Sequence, residues 1–370
     1  MSAPVSAAAG AAAAVLPGRP GASVVPSWAV RLKGIPLPAA VAADVVSLSV
    51  HQDVELPSMF TIRLITWDAQ LRRMTWSEPG WFDPGSPVEI QLGYTGRLRT
   101  VLSGEITGLE LEIDGDLPPT VLVRGYDRRH RLMRGQLTRS FVGVTDSGIA
   151  ARIGTERGLA VRATPTTVRL DHVLQHNQTD LEFLGQRARR IGYEVAIDDR
   201  TLLFRPRRRL QPPRVQVWRD QDLISFQPRL TTMGQTRGAT VQGWNPAQPD
   251  QQLRGVAGGD DPRASGGPST TAPSPFPGAL AVGNRTVLRP LADKQEADAL
   301  ARGLAGATEP WRIDGSGVCV GRPDVTAGEA VRIDGLGRRF SGTYTVTSAT
   351  HTFDPSRGYR TAFEVRKEPT

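Results

Sequence analysis

Two stretches near opposite ends of this chain follow the same pattern, and this repetition restricts the folds that the chain can adopt. The first reads PGSPVEI over residues 84–90 and LSGEIT over residues 102–107. The second reads AGEAVRI over residues 327–333 and FSGTYT over residues 340–345. Each begins with a turn and continues into short runs of alternating apolar residues, which is the pattern of a β-hairpin.

The repetition can be aligned through its glycines. Gly85 pairs with Gly328 at an offset of 243 residues, and Gly104 pairs with Gly342 at an offset of 238, so the second copy has a loop five residues shorter. A turn that contains an aspartate follows each copy. Internal repetition of this kind predicts two similar domains in one chain. The alternative is a chance likeness between two ordinary hairpins.

The rest of the pattern divides the chain into two β-rich ends and a mixed middle. Phe60, Ile62 and Leu64 alternate with other residues, and similar short strands recur at both ends of the chain. Such strands are typical of antiparallel barrels or sandwiches. We predict a mainly β fold with α/β insertions and two homologous antiparallel β-barrels. The predicted segments are a disordered tail (1–28), a first barrel (29–135), an α/β middle domain (136–210), the first part of a second barrel (211–245), a flexible loop and helix (246–306) and the second part of that barrel (307–370).

Two stretches are predicted to lack regular structure. Residues 245–277 are rich in Gly, Pro, Asp, Gln and Ser, and they contain too few apolar residues to bury a core. The run from Ala7 to Leu16 has no basic residue before Arg19, and glycines and prolines interrupt its surroundings, which favours a disordered tail over a signal peptide. No stretch reaches the roughly 18 apolar residues that a membrane helix needs.

The middle of the chain contains a well-marked helix. Thr179 and Glu182 have the spacing of a capping box, and apolar residues follow at helical intervals up to Gly192, a typical C-terminal glycine. That apolar stripe consists of Leu181, Leu184, Ala188 and Ile191. Residues 193–204 then alternate around a polar turn, so the sequence predicts a helix followed by a two-stranded ribbon.

Three motifs together resemble one protein family. They are NQTDLEFL over residues 177–184, VRGYD over 123–127 followed by RLMRG over 131–135, and GLGRRFSGTYTVTSATHTF over 335–353 followed by GYRT over 358–361. Their order and spacing resemble those of VgrG-like and phage late-control-D proteins, the trimeric baseplate hubs of contractile tails. The resemblance covers roughly residues 40–366.

The resemblance implies a structural role. Two barrels in each chain of a homotrimer present six similar units, which join a hexameric inner tube to a trimeric spike. The implied partners are two further copies of the chain, the inner tube protein, a separate spike protein and other baseplate components. Assembly is expected in the bacterial cytoplasm, within a phage tail or a phage-derived injection particle. Many VgrG proteins continue into an OB-fold and a needle, whereas this chain ends at Thr370, so the spike is expected to be another polypeptide.

The charge and the cysteine content bear on nucleic-acid binding and on the redox compartment of the protein. The formal net charge is +8, and apart from three lysines the basic residues are arginines, which are interleaved with acids along the chain. Nucleic-acid binding is therefore an alternative that the charge pattern does not favour. A single cysteine, Cys319, excludes an intrachain disulfide and favours a reducing compartment.

Residues that could support catalysis or metal binding have simpler explanations. His172 and His176 are four residues apart, with Asp171 and Asp180 nearby, but they also fit a polar approach to the capped helix. Asp198 and Asp199 fit a turn. Cys319 is interpreted as a small core residue, and the basic run Arg205–Arg209 as a solvated connector. The stretch Gly335-Leu336-Gly337 lacks the third glycine of a dinucleotide-binding loop.

We therefore predict that the chain is not an enzyme, with no catalytic residue, no cofactor and no metal site. The alternative is a hub that also hydrolyses cell walls, which requires paired carboxylates in a cleft. The acids available in the one large irregular insertion are Asp250, Asp260 and Asp261.

Overall fold

The computed structural model describes residues 25–207, 212–231, 238–245, 248–258, 285–291, 293–305 and 312–367. The described chain divides into two compact units. Unit 1 contains the described residues of 1–130, 210–228 and 314–366, and unit 2 those of 131–209, 229–313 and 367–370. No helix in the described ranges is both long enough and apolar enough to span a membrane.

The first β-rich region supplies strands of unit 1. They are β1 (Pro26–Leu32), β2 (Ile35–Pro36), β3 (Val45–Asp53), β4 (Met59–Ile65), β5 (Trp67–Asp68), β6 (Arg73–Met74), β7 (Pro87–Tyr94), β8 (Arg97–Glu112) and β9 (Thr120–Asp127), with the short helix α1 (Ala39–Ala43) before β3 and a 3₁₀ turn (Arg128–Met133) after β9. β1 begins within the predicted tail, because Trp28 is buried in the core and its strand pairs with β7.

The middle region of the chain alternates strands and helices, as predicted. Its elements are β10 (Leu137–Thr145), α2 (Asp146–Glu156), β11 (Ala160–Ala163), β12 (Arg169–Gln178), α3 (Asp180–Arg190), β13 (Tyr193–Asp198) and β14 (Thr201–Pro206). Thr179 and Glu182 form the predicted capping box, and Leu184 and Ala188 are buried against β-strand residues in one core. Gly192 follows the helix with a φ of 71°, a conformation that glycine adopts at little cost.

The last region begins in unit 1, continues through unit 2 and then returns to unit 1. Its elements are β15 (Val215–Trp218), β16 (Leu223–Thr231), β17 (Gly238–Asn245), β18 (Gln248–Gly258), β19 (Arg285–Leu288), α4 (Lys294–Ala305), β20 (Arg312–Val320), β21 (Ala330–Asp334), α5 (Gly337–Phe340), β22 (Gly342–Asp354) and β23 (Gly358–Lys367). The helix predicted within residues 246–306 is present as α4.

One predicted loop is wrong in part. Residues 248–258 form β18, which pairs antiparallel with β17, while residues 259–277 lie outside the described residues. Gly255 brings β18 against α4, because a Cβ at this position would lie 2.2 Å from the Ala297 carbonyl oxygen. The sequence pattern counted this glycine as a loop former, although here it allows a helix to approach a strand closely.

The structure is mainly β, with large antiparallel sheets. In the described chain the largest sheet has 13 strands in the order β16-β20-β23-β22-β3-β4-β9-β8-β7-β1-β2, with β15 joined to β21 and β21 to β22. It contains the same sequence of six strands twice: β3-β4-β9-β8-β7-β1 and β16-β20-β23-β22-β21-β15. The two copies differ at their last pair, since β1 runs antiparallel to β7 and β15 runs parallel to β21.

Backbone hydrogen bonds repeat in the two copies. Gly85 and Gly328 have φ values of 87° and 86°. The Gly85 N–H donates to the Ile106 carbonyl oxygen as the Gly328 N–H donates to that of Val346, both at 2.8 Å. In return, the Ile106 N–H donates to the Ser86 carbonyl oxygen at 3.0 Å, and the Val346 N–H donates to that of Glu329 at 2.9 Å. A β-bulge lies between Ile106 and Gly108 in one copy and between Val346 and Ser348 in the other.

These contacts correct the alignment of the second glycine pair. Throughout β8 and β9 each residue corresponds to the residue numbered 240 higher, so that Gly108 pairs with Arg124 as Ser348 pairs with Glu364. Gly104 therefore corresponds to Tyr344, and Gly342 corresponds to Leu102. The sequence comparison matched two glycines, whereas strand register is fixed by backbone pairing and by the bulge.

Candidate functional site

The two histidines considered as metal ligands lie on a strand. His172 and His176 belong to β12, and both are exposed. Residues four positions apart on a strand share a face but are about 13 Å apart, which is too far for one ion to bind both. The Nε2 atom of His172 lies 3.0 Å from the Ser140 hydroxyl oxygen instead. In the described ranges no group of three or more His, Cys, Asp or Glu residues is placed to hold a metal ion.

The neighbouring Asp180 is a buried anchor. Arg139 donates from Nη2 to its Oδ1 at 2.7 Å, and Arg157 donates from Nε to its Oδ2 at 2.7 Å. The side-chain amide of Gln175 donates to the same carboxylate at 3.0 Å. A buried carboxylate held by two guanidinium groups ties the first residue of α3 to β10 and to the residue that follows α2. Sequence reasoning missed both arginines, since they lie 41 and 23 residues away with no local pattern that links them.

Cys319 lies in β20 and is fully buried, as predicted. Burial raises the pKa of its thiol to about 12, so the reactive thiolate is not populated at neutral pH. Asp199 forms the predicted turn between β13 and β14 with a φ of 48°. Gly337 begins the short helix α5, far shorter than the helix of a dinucleotide-binding motif.

The predicted basic connector and the acids of the irregular insertion fall only partly within the described residues. Arg205 donates from Nε to Glu194 at 2.8 Å across the β13–β14 ribbon, and Arg208 and Arg209 lie outside the described part of the chain. Asp250 is exposed on β18, whereas Asp260 and Asp261 are not described.

The two copies in unit 1 are joined directly by β3 and β22. These strands pair antiparallel from Leu48–Phe353 to Asp53–Ser348. On one face all six side chains of the pairing are buried, and on the other face the Nδ1 atom of His51 lies 2.8 Å from the Thr350 hydroxyl oxygen. The buried side chains are Leu48, Val50, Gln52, Ala349, His351 and Phe353. This junction makes one continuous sheet from two repeated parts.

A buried arginine holds the end of β3. The Nη2 atom of Arg129 donates to the Asp53 carbonyl oxygen at 2.9 Å, to the Ser58 hydroxyl at 3.0 Å and to the Asp127 carboxylate at 2.8 Å. Asp127, the last residue of the VRGYD motif, also accepts from the Ser58 backbone N–H at 2.9 Å. The motif therefore supports the junction through its carboxylate, whereas no sequence pattern indicates the role of Arg129.

His351 lies inside the junction itself. Its Nδ1 atom is 3.0 Å from the Tyr359 hydroxyl and 3.2 Å from the Thr361 hydroxyl. Burial lowers the pKa of this imidazole from 6.5 to about 4, with a smaller opposing effect from Asp324. The ring is therefore neutral at neutral pH.

A strand edge in unit 1 lacks a pairing strand on one side in the described chain. Residues 108–112 of β8 pair with β9 alone. Leu111 and Ile113, on or next to this edge, are 49% and 67% exposed. Unpaired backbone with exposed apolar side chains is a template for pairing with another strand. We regard this edge, together with the β3–β22 junction, as the candidate functional site.

The family model described as "Alg8 N-terminal domain" matches residues 23–354. A comparison with curated proteins gives no match.

Several solved structures share the fold. A tail protein from Neisseria meningitidis MC58 is 13% identical, with a TM-score of 0.63 over 93% of this chain and 97% of its own. The 43 kDa tail protein of prophage MuSo2 from Shewanella oneidensis is 11% identical, with a TM-score of 0.62 over 92% and 98%. The E. coli c3393 protein, described as a component of the type VI secretion system with structural similarity to T4 tail proteins gp27 and gp5, is 14% identical, with a TM-score of 0.55 over 92% and 79%. At these identities the likeness establishes the fold.

Proposed function

The chain belongs to the Alg8 N-terminal domain family, and from its fold we propose that it is a structural component of a phage tail or of a related contractile injection system. The observation that carries the proposal is the six-strand order that occurs twice and is joined edge to edge through β3 and β22. The tail and secretion-system proteins that share the fold support it.

The finer proposal is a baseplate hub. Each chain contributes its two repeated six-strand parts, so three chains form a ring of six similar parts. One face of this ring matches a hexameric inner tube and the other a trimeric spike. Rings of this kind form when a head-to-tail contact closes on itself. The inner tube protein, a separate spike and other baseplate components are the proposed partners, and assembly takes place in the bacterial cytoplasm.

We propose that the role is structural and not catalytic. Three buried carboxylates of the described chain are held in ion pairs with arginines from other parts of the fold. They are Glu105 with Arg128, Asp146 with Arg187, and Asp180 with Arg139 and Arg157. The half-buried Asp127 pairs with Arg129, and the buried Asp334 pairs with Arg332 of its own strand. Carboxylates held in this way support geometry, because removing either partner leaves a buried charge uncompensated.

The mass of the purified protein tests the hub proposal. We expect native mass spectrometry to give three times the 40.0 kDa chain mass, and electron microscopy to show a ring with threefold symmetry and a nearly sixfold outline. The interface is expected to be large, as in obligate oligomers. A protein that stays monomeric across the micromolar range, or that forms a symmetric dimer, would contradict the hub proposal.

A further inference from the structure

The outer face of the β15–β21 pair in unit 1 combines an aromatic side chain with charged ones. The two strands run parallel, with Gln216 opposite Arg332 and Trp218 opposite Asp334. Successive residues of a strand point to opposite faces of the sheet. The side chains of the inner face, Val215, Val217, Val331 and Ile333, are all buried. Gln216, Trp218 and Arg332 therefore lie on the outer face, and all three are exposed.

Asp334 holds the charged part of this face in place. Its Oδ2 atom accepts from the Nε2 atom of Gln216 at 2.7 Å and from the Nε atom of Arg332 at 2.8 Å. Burial alone would raise the pKa of Asp334, but the hydrogen bonds from Arg332 and Gln216 outweigh burial and lower it. Arg332 is thus anchored through Nε while its side chain remains 52% exposed.

The turns that follow the two strands bring further arginines to the same end of the pair. Arg219 comes directly after β15, and its N–H donates to the Asp334 carbonyl oxygen at 3.2 Å. A Cβ at Gly335 would lie 2.9 Å from the Cβ of Arg219, and Gly335 has a φ of 87°. A glycine suits both this close approach and this backbone conformation. The exposed Arg338 follows three residues later, in α5.

These residues form a surface with an excess of positive charge. We call it the basic–aromatic surface, and its members are Gln216, Trp218, Arg219, Arg332, Arg338 and Arg339. The acidic residues beside it are Asp334 and Asp220, the latter 3.8 Å from Arg219. Four arginines and two aspartates give a formal charge of +2. Trp218 is 42% exposed within this surface, so an apolar contact is available beside the charges.

The first copy of the repeat has no such surface. Val88 pairs with Gly104 as Val331 pairs with Tyr344, so Arg332 corresponds to Glu89 of the first copy. The counterpart of β21 is β7, which continues to Tyr94 and turns directly into β8, whereas β21 ends at Asp334 and is followed by α5. The repeated strand order therefore does not require the basic–aromatic surface, which is a specific feature of the second copy.

We infer that the basic–aromatic surface binds an acidic segment of another protein, in which carboxylates flank an apolar side chain. Guanidinium groups match carboxylates through paired hydrogen bonds. Arginine and tryptophan are also the residue types that most often dominate binding at protein interfaces. The inference does not depend on the proposed trimer, because every residue of the surface belongs to unit 1 of one chain.

Nucleic acid matches the basic–aromatic surface less well than an acidic peptide does. Binding of a single strand uses several aromatic side chains along a positively charged groove. On the outer face of β15 and β21, Trp218 is the one aromatic side chain. Asp220 is 86% exposed and would repel a strand that carries a phosphate at every nucleotide, whereas a peptide can place its carboxylates away from it.

Fluorescence anisotropy with the full-length protein tests the inference. The probe is a short fluorescein-labelled peptide in which glutamates surround a central pair of leucines. The comparison probes are the same peptide with serine in place of each glutamate and an oligothymidylate of equal length. We expect the acidic peptide to bind at least about tenfold more tightly than either, since charge complementarity sets the specificity of such contacts. Equal binding of the acidic and serine peptides, or an oligothymidylate that binds as tightly as the acidic peptide, would overturn the inference.

Charge reversal locates the binding site on the chain. Arg219→Glu combined with Arg338→Glu should weaken binding of the acidic peptide by at least about tenfold. The matched control is Arg72→Glu combined with Arg73→Glu, which makes the same change in net charge at two exposed arginines of unit 1. It should weaken binding by less than about twofold, because distant exposed charges are screened by salt. Equal weakening in both variants would mean that the peptide responds only to net charge, and the inference would fail.

The aromatic contact has its own measurement. Trp218→Ala should weaken binding of the acidic peptide about fivefold without any change in charge. Trp67→Ala is the control, because Trp67 is 38% exposed in the same unit, and it should leave binding unchanged. Circular dichroism checks that each variant is folded. Trp218→Ala that binds like the natural chain would contradict the apolar contact.

Photochemical labelling gives the position directly. A peptide with benzoylphenylalanine in place of one leucine should label residues 216–219 or 338–343, as mapped by mass spectrometry of the digested protein. Labelling that is confined to other parts of the chain would overturn the assignment of the basic–aromatic surface.

Discussion

At the scale of single residues, His351 makes stability depend on pH. Its pKa is lowered from 6.5 to about 4 in the folded chain, so the unfolded chain binds a proton more readily between these values. The contribution of the neutral His351 to the free energy of unfolding is therefore fully present above about pH 6.5, and it is lost as the pH decreases towards 4, by roughly 3 kcal/mol. Urea unfolding at several pH values from 7 to 4.5 should show this loss.

A variant isolates the contribution of His351. His351→Gln should lower stability at pH 7 through lost packing, but its stability should change much less between pH 6.5 and 4.5 than that of the natural chain. His172→Gln, at an exposed histidine of β12, is the control and should keep the pH dependence. If His351→Gln retains the full dependence, another group is responsible for it.

At the scale of elements, the burial of α3 predicts the effect of one substitution. Leu184 is fully buried in the core that α3 shares with Phe141 and Phe204. Leu184→Asp places an unpaired carboxylate there, which costs several kcal/mol and is comparable to the whole stability of a domain. We expect loss of soluble folded protein, whereas Gln186→Asp on the exposed face of α3 should change stability by less than about 0.5 kcal/mol. Denaturant unfolding and soluble yield give the comparison.

Elements defined by neighbouring residues could be predicted from the sequence. The helix α3 has its capping box, apolar stripe and terminal glycine within 14 residues, from Thr179 to Gly192. The β18 strand could not be predicted, because its order comes from pairing with β17 and from close contact with α4. Strand pairing and helix packing are long-range, and composition does not report them.

The same limit applies to the candidate site. The repeated hairpins and the VRGYD motif were visible in the sequence, but their register depends on a bulge and on backbone bonds that residue identity does not encode. Arg129 and the Arg139–Asp180–Arg157 cluster were missed for a related reason. Ion pairs between distant positions leave no periodic signal in one sequence, so Asp180 was read as a polar approach to a helix.

At the scale of the whole molecule, the division into two units predicts that a substitution in the core of one unit destabilises that unit more than the other. Unit 1 has its own core around Trp28 and Phe60, and unit 2 has cores around Phe183 and Leu300. In the milder variant Leu184→Ala, which should cost about 2–5 kcal/mol, amide exchange in β10 and β12 should accelerate while β4 and β9 stay protected. Equal acceleration in all four strands would instead mean that the two units unfold as one.

The covalent link between the two copies has a consequence for how a ring assembles. In the proposed trimer, three of the six junctions are β3–β22 pairings within a chain, and they form without any encounter between molecules. The population of closed rings then varies with the third power of the free chain concentration, whereas six separate single-copy subunits would give a sixth power. Because the two repeated parts are linked in one chain, they meet at a high effective local concentration and need no diffusional encounter. Such a ring can assemble from a small number of chains in each cell. Its two kinds of repeated part can also acquire different surfaces while they keep their common strand order.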